Sequence, residues 1–216
     1  MSSLATAETS GVGRPAPGTP PVVLASASPS RAALLRQAGV PVVIELARVD
    51  EGEVKTALAA EGADASLAAE ALAELKAQKI SRRHGSALVI GADQILDCDG
   101  VWHDKPEDLD QAARQLRALA GRTHRLVSAV CVVRQGTRIW HRVEEARLTV
   151  RPLGDRFIAD YLAAVGPAAL SSVGAYQLEG LGAQLFARIE GDYFTILGLP
   201  LLPLMDVLRN HGVVPT

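Results

Sequence analysis

Apolar positions along the chain alternate between short β-branched runs and longer stretches with a helical repeat. Val22-Val23-Leu24-Ala25 is an apolar run of strand length, and from Pro29 the spacing of Leu34, Leu35 and Ala38 becomes helical, with Gly39 as a natural stop. Ser28 suits the N-cap and Pro29 the first helical position, where a missing N–H costs nothing. Val42-Val43-Ile44-Glu45-Leu46 predicts a second strand, followed by the acidic run Asp50-Glu51-Gly52-Glu53. Residues 54–84 are Ala-rich and predict two helices broken at Gly62-Ala63-Asp64. In the second, Leu67, Ala71, Leu75 and Lys79 share one face and Leu72, Lys76 and Ile80 the next, which places Lys76 at the edge of an apolar stripe.

Ala87-Leu88-Val89-Ile90 predicts a buried strand ending at Gly91-Ala92-Asp93-Gln94, with Asp93 just past its carboxyl end, where open α/β sheets place ligand-binding groups. Asp99-Gly100 is a hairpin signal, and Pro106 is expected to open a helix running to Ala120. Residues 123–135 and 138–151 read as two long strands joined at Gln135-Gly136. In the second, Ala146, Leu148 and Val150 alternate with Arg147, Thr149 and Arg151, so it is half-exposed. Asp155 is expected to cap a helix over 156–165, a strand follows the glycine-rich 173–182 segment at 183–189, and Leu201, Leu204, Met205 and Leu208 mark a C-terminal helix. This βα alternation with one long hairpin predicts an α/β fold with a mixed sheet.

Composition narrows the setting. Residues 1–20 are rich in Ser, Thr, Gly and Pro without an apolar core, and read as a disordered tail before one domain over 21–216. Twenty-two basic residues against 24 acidic ones give a net charge of −2, which argues against a nucleic-acid partner. No apolar run approaches the ~18 residues of a membrane span. Cys98 and Cys131 stand in no metal or redox spacing, so free thiols in a reducing cytoplasm are expected.

Phosphate-loop, dinucleotide, zinc-protease and nucleophile-elbow motifs are all missing from the sequence. The five histidines are scattered, and most read as surface or satisfied residues. The polar residues in otherwise apolar or glycine-rich surroundings are Ser26, Ser28, Arg31, Glu51, Lys76, Asp93, Lys105 and Glu179. A strand handing over to a helix through two serines and an arginine gathers N–H groups, hydroxyls and a guanidinium, which suits a phosphate, although an ordinary capped helix fits the same residues. Three cations with hydroxyls and carboxylates are what a metal-bound polyphosphate needs.

The run LASASPSR at 24–31 resembles the LASxSPRR signature of the Maf family of nucleoside triphosphate pyrophosphatases, also called septum-formation inhibitors. The resemblance continues in register through VDE at 49–51, LKAQK at 75–79, GADQ at 91–94, DKP at 104–106, AGRTH at 120–124, GAYQLEGLG at 174–182 and GLPL at 198–201. It implies an α/β fold, related to inosine triphosphatases, with a mixed sheet and two lobes around a deep cleft. It also implies cleavage of nucleoside triphosphates to the monophosphate and pyrophosphate with a divalent cation, Mg²⁺ or Mn²⁺. Carried onto this chain, Asp93 activates water, Arg31, Lys76 and Lys105 hold the phosphates, Ser26 and Ser28 line the loop, and Glu51 joins Asp93 at the metal. A homodimer is the assembly the resemblance implies.

Three family positions separate a uridine/thymidine-triphosphate group from a 7-methylguanosine-triphosphate group, and they match Ser30, Gln94 and Glu179 here. Gln94 and Glu179 resemble the second group. A carboxylate offers only acceptors, which suit the adjacent N1–H and N2–H donors of guanine and repel the carbonyls flanking the single N–H of uracil or thymine. Ser30 departs from both patterns, which carry Trp or Arg, so a guanine-type or broader preference is expected. Two alternatives are a house-cleaning enzyme of the inosine-triphosphatase type and a regulatory protein that acts on septum formation through a partner.

Overall fold

The computed structural model describes residues 18–216, so residues 1–17 of the expected tail lie outside the described residues. Seven strands, β1 (Val22–Leu24), β2 (Val42–Ile44), β3 (Leu88–Cys98), β4 (Val101–His103), β5 (Thr123–Arg134), β6 (Thr137–Val150) and β7 (Phe186–Glu190), form one mixed sheet in the order β2-β1-β3-β5-β6-β7, with β4 hairpinned onto β3. β1 runs parallel to both β2 and β3; the β3–β5, β5–β6 and β6–β7 pairs are antiparallel. Seven α-helices accompany them: α1 (Pro29–Gln37), α2 (Glu51–Ala60), α3 (Ala65–Ser81), α4 (Leu109–Leu119), α5 (Asp155–Val165), α6 (Tyr193–Ile196) and α7 (Leu201–Asn210).

Short-range chemistry explains most boundaries. Asp50, Asp64 and Asp108 cap α2, α3 and α4 by accepting from the backbone N–H three residues on. Asp99 and Gly100 have φ of 52° and 83°, and Gln135 and Gly136 have 52° and 77°, the paired left-handed geometry of tight hairpins.

Several boundaries differ from expectation, four of them for reasons of local capping and turns. α2 begins at Glu51 rather than 54, because Asp50 supplies its cap. α4 begins at Leu109, capped by Asp108, so Pro106 precedes the helix instead of opening it. Asp155 is the first residue of α5 and Gly154 takes the N-cap without a side-chain bond. β7 starts at Phe186, since residues 181–185 form a 3₁₀ turn.

The largest difference concerns β3, which does not stop at Ile90 but runs on to Cys98. Asp93 pairs with Ala129 and Gln94 with Ser128 in mid-strand.

Three apolar clusters hold the sheet. α1 and α7 cover one face through Leu35, Leu204 and Leu208 against Leu24 and Ile90. α3 covers the other through Ala69, Ala73, Ala77 and Ile80 against Val23 and Val89. The far ends of β3, β5 and β6 pack Leu96, Leu126 and Leu148 against α4 and α5 through Leu116 and Ile158. β3 thus passes from one lobe to the other, and Asp93 and Gln94 fall where the two meet.

Candidate active site

A cleft of about 470 Å³ opens at this junction. Its floor is built from α3 and β3. Lys76 lies within the buried stripe Leu72-Ala73-Lys76-Ala77-Ile80 rather than at its edge, and only 5% of the residue is exposed. Gly91 allows α3 to come this close: a Cβ there would overlap the Ala73 carbonyl oxygen and stand 2.8 Å from Ala77 Cβ. Lys76 Nζ is 2.6 Å from Asp93 Oδ1 and 2.7 Å from Glu51 Oε1, so one buried ammonium joins two carboxylates. Asp93 Oδ2 is buried and has no hydrogen-bond partner.

Glu51 reaches this pair from the first turn of α2. Partial burial raises its carboxyl, but the charge and hydrogen bond of Lys76, followed by the charges of Lys55 and Arg31, outweigh that and hold it below the usual range.

The β1–α1 turn forms a second wall. Ser28 accepts from the Arg31 N–H at 3.4 Å and its own N–H donates to Ser26 Oγ at 3.2 Å. The Arg31 side chain runs back under the turn. Its Nε donates to Gly198 O at 2.7 Å, and its Nη1 to Ser26 Oγ at 3.1 Å and Ala92 O at 3.0 Å. Burial lowers the Arg31 pKa, against the raising charges of Asp93 and Glu51. Lys105 projects from an exposed stretch of chain into the same field. Desolvation at the cleft lowers its pKa most, and Arg31 and Lys76 add to that.

Ser30, Gln94 and Glu179 also line the cleft, so all ten sequence-derived site residues meet there. They differ in freedom. Gln94 Nε2 lies within hydrogen-bond distance of Ser128 Oγ at 2.9 Å and of the Thr195 and Ile196 carbonyls at 3.1 Å each, which leaves Oε1 as the amide's remaining polar atom. Glu179 is exposed, on the segment between the 3₁₀ turns.

That segment is anchored from below. Tyr176, itself a lining residue, is hydrogen-bonded at 2.6 Å to His124 Nε2 and packs edge-on against Phe186. His124 is 1% exposed and its Nδ1 has no partner, so its expected role as a surface or satisfied histidine holds for one ring nitrogen only.

Sequence reasoning missed Lys55, Asp104 and Tyr176. Lys55 lines the cleft and forms a 2.6 Å ion pair with Asp104. The available signal was its position four residues after Glu51, on the same face of α2.

The arrangement gathers the cationic side chains of Arg31, Lys76 and Lys105 along one cleft and leaves one buried carboxylate oxygen, Asp93 Oδ2, without a hydrogen-bond partner. No group of three or more His, Cys, Asp or Glu side chains is placed to hold a metal among the described residues. No helix among them is long and apolar enough to cross a membrane.

Known proteins are similar in sequence over most of this chain. A curated nucleoside triphosphate pyrophosphatase of Paramagnetospirillum magneticum is 57% identical over 88% of this chain and 98% of its own length. A 7-methyl-GTP pyrophosphatase of Rhizobium meliloti is 51% identical over 90% and 98%. Among solved structures, a nucleoside-triphosphatase (dITP/XTP pyrophosphatase) of Mycobacterium abscessus aligns over 88% of this chain and 93% of its own at 18% identity and a TM-score of 0.43. The family model described as Maf-like protein matches residues 21–211, a span that includes every cleft residue named above. With relatives this similar over nearly their full lengths, the chain belongs to the Maf-like protein family.

Proposed function

We propose that the protein hydrolyses nucleoside triphosphates between the α and β phosphates, releasing the nucleoside monophosphate and pyrophosphate. The observation that carries this reading is the buried Lys76–Asp93 pair, joined from the cleft side by the half-exposed Glu51, in which Lys76 fixes Asp93 Oδ1 while Oδ2 keeps its lone pairs uncommitted. Asp93 takes a proton from the attacking water as the new bond to phosphorus forms, and the bridging oxygen leaves with pyrophosphate. Charge that develops on the non-bridging oxygens meets Lys105 on the cleft wall, together with Lys76 and the Nη2 end of Arg31, which their ion pairs and hydrogen bonds hold in place.

A carboxylate alone is a weak base toward bulk water. Glu51 and Asp93 fit a divalent cation such as Mg²⁺ or Mn²⁺. They are two carboxylates on one ammonium, one of them with an orphaned buried oxygen, and magnesium sites use one or two carboxylates with waters and substrate phosphates completing the shell. Such an ion, when bound, lowers the pKa of a coordinated water and neutralises phosphate charge.

The expected outcome for Asp93→Asn is a fall in kcat of roughly 10²–10⁴-fold, measured as pyrophosphate release with Mg²⁺ or Mn²⁺. Undiminished hydrolysis would remove Asp93 from the role of base. Lost hydrolysis with a retained cellular effect on septum formation would favour the partner-binding alternative.

The base preferred is guanine, 7-methylated or not. Gln94 has only Oε1 left to offer and Glu179 is a carboxylate, so both present acceptors. Inosine lacks the N2 donor, and uracil and thymine place carbonyls against Glu179. Ser30 presents no aromatic face for a cationic base, so discrimination between GTP and its 7-methyl form rests on charge. A kinetic panel in which UTP and dTTP outrun both guanine nucleotides would sink this specificity, and a clear preference for ITP or XTP would move the protein to the house-cleaning class.

A further inference from the structure

One face of α2 carries two charges that reach different walls of the cleft. Glu51 turns to Lys76 on the floor, and Lys55, one helical turn later, pairs with Asp104 at the rim. The partners of the second pair are unequal: the Lys55 side chain is 13% exposed, that of Asp104 67%. An ion pair that is solvated at one end contributes little net energy. Lys55 thus has a mostly covered side chain whose ammonium lines the cleft, paired with a carboxylate that loses little by returning to water. It also acts electrostatically on Glu51, as Arg31 does, so it stands in the field of the groups assigned to the phosphates. A polyphosphate presents several charged oxygens and outcompetes a single exposed carboxylate for such an ammonium.

We propose that Lys55 is a further phosphate-binding residue, which exchanges Asp104 for non-bridging oxygens of the pyrophosphate half of the substrate, and that Asp104 competes with substrate for it. This rests on the reading of the cleft as a triphosphate site. A pair that merely tied α2 to the rim would make loss of either partner act in the same direction. Exchange makes the two losses act in opposite directions.

The test is binding of inorganic pyrophosphate with Mg²⁺, followed by titration calorimetry in wild type, Lys55→Met, Asp104→Asn and the double variant, with pyrophosphate release from GTP assayed alongside. Lys55→Met is expected to weaken binding roughly tenfold, and Lys55→Arg to keep most of it. Asp104→Asn is expected to tighten binding roughly threefold, and to add nothing once Lys55 is gone. Should Lys55→Met fail to fold, the sign of the Asp104→Asn effect decides alone. Binding within twofold of wild type in Lys55→Met, or weaker binding in Asp104→Asn, overturns the exchange while the function stands. A wild-type protein that neither binds pyrophosphate nor releases it from any nucleotide overturns the function and the exchange together.

Discussion

Arg31 shows how one residue serves both fold and site. Its Nε and Nη1 protons bind Gly198 O, Ser26 Oγ and Ala92 O, tying the β1–α1 turn, the strand carrying Asp93 and the α6–α7 connection into one corner. That leaves Nη2 to offer a phosphate two N–H groups whose positions are set by the other end of a rigid fork. A lysine in its place has one point of attachment and must choose between the corner and the ligand. Arg31→Lys is therefore expected to destabilise the protein by about 2–3 kcal/mol, because buried carbonyls lose their donors. The same change is expected to raise KM for the triphosphate roughly tenfold. Urea unfolding and steady-state kinetics on the same preparation check both; a variant changed only in KM would mean that the corner is held by other groups.

Among the elements, the α3–β3 contact decides where the site can be. Lys76 reaches Asp93 because Ala73 and Ala77 lie directly on Gly91, a contact that no other residue at 91 permits. Gly91→Ala is expected to cost about 3 kcal/mol or more, since the overlapping atom is a backbone carbonyl that cannot rotate away. Activity should fall with it as Lys76 is pushed off Asp93, and a neutral denaturation midpoint would show that the helix can move outward at no cost.

This contact also explains what the sequence did and did not reveal. Leu72, Lys76 and Ile80 were legible as one face of a helix, and the hairpin at Gln135-Gly136 as a pair of strands. Gly91-Ala92-Asp93-Gln94 instead read as the end of a strand, because small and polar residues mark turns when nothing packs on them. Here α3 packs on Gly91, and β5 pairs with β3 from Val89 to Asp97, so the ladder continues through a sequence of weak strand propensity. The meeting of the ten cleft residues came from the order of motifs, not from periodicity. Lys55 stayed hidden because a lysine on an Ala-rich helix is the ordinary solvated case.

At the scale of the whole molecule, the pH dependence of stability is set in one lobe by a single buried histidine. The α4–α5 lobe buries His124 under the Glu179 segment, with Nε2 on Tyr176 and Nδ1 unpartnered. Burial, with a smaller contribution from His103, pushes the His124 pKa down to about 4. An unfolded histidine titrates near 6.5, so between those values the unfolded chain takes up a proton that the folded one refuses. Stability is therefore full above about pH 6.5 and falls as pH drops toward 4, by about 2 kcal/mol between pH 7 and pH 5 from this residue alone. His124→Gln carries no titrating ring; it is expected to be less stable at pH 7, where Tyr176 loses its partner, yet to lose about 2 kcal/mol less than wild type on the way to pH 5. Tyr176→Phe is expected to keep the wild-type slope, because desolvation, not the hydroxyl, sets the shift. Urea midpoints at three pH values separate the cases: parallel lines for wild type and His124→Gln would mean that His124 takes up its proton in the folded state, with the segment above it opening to let water in.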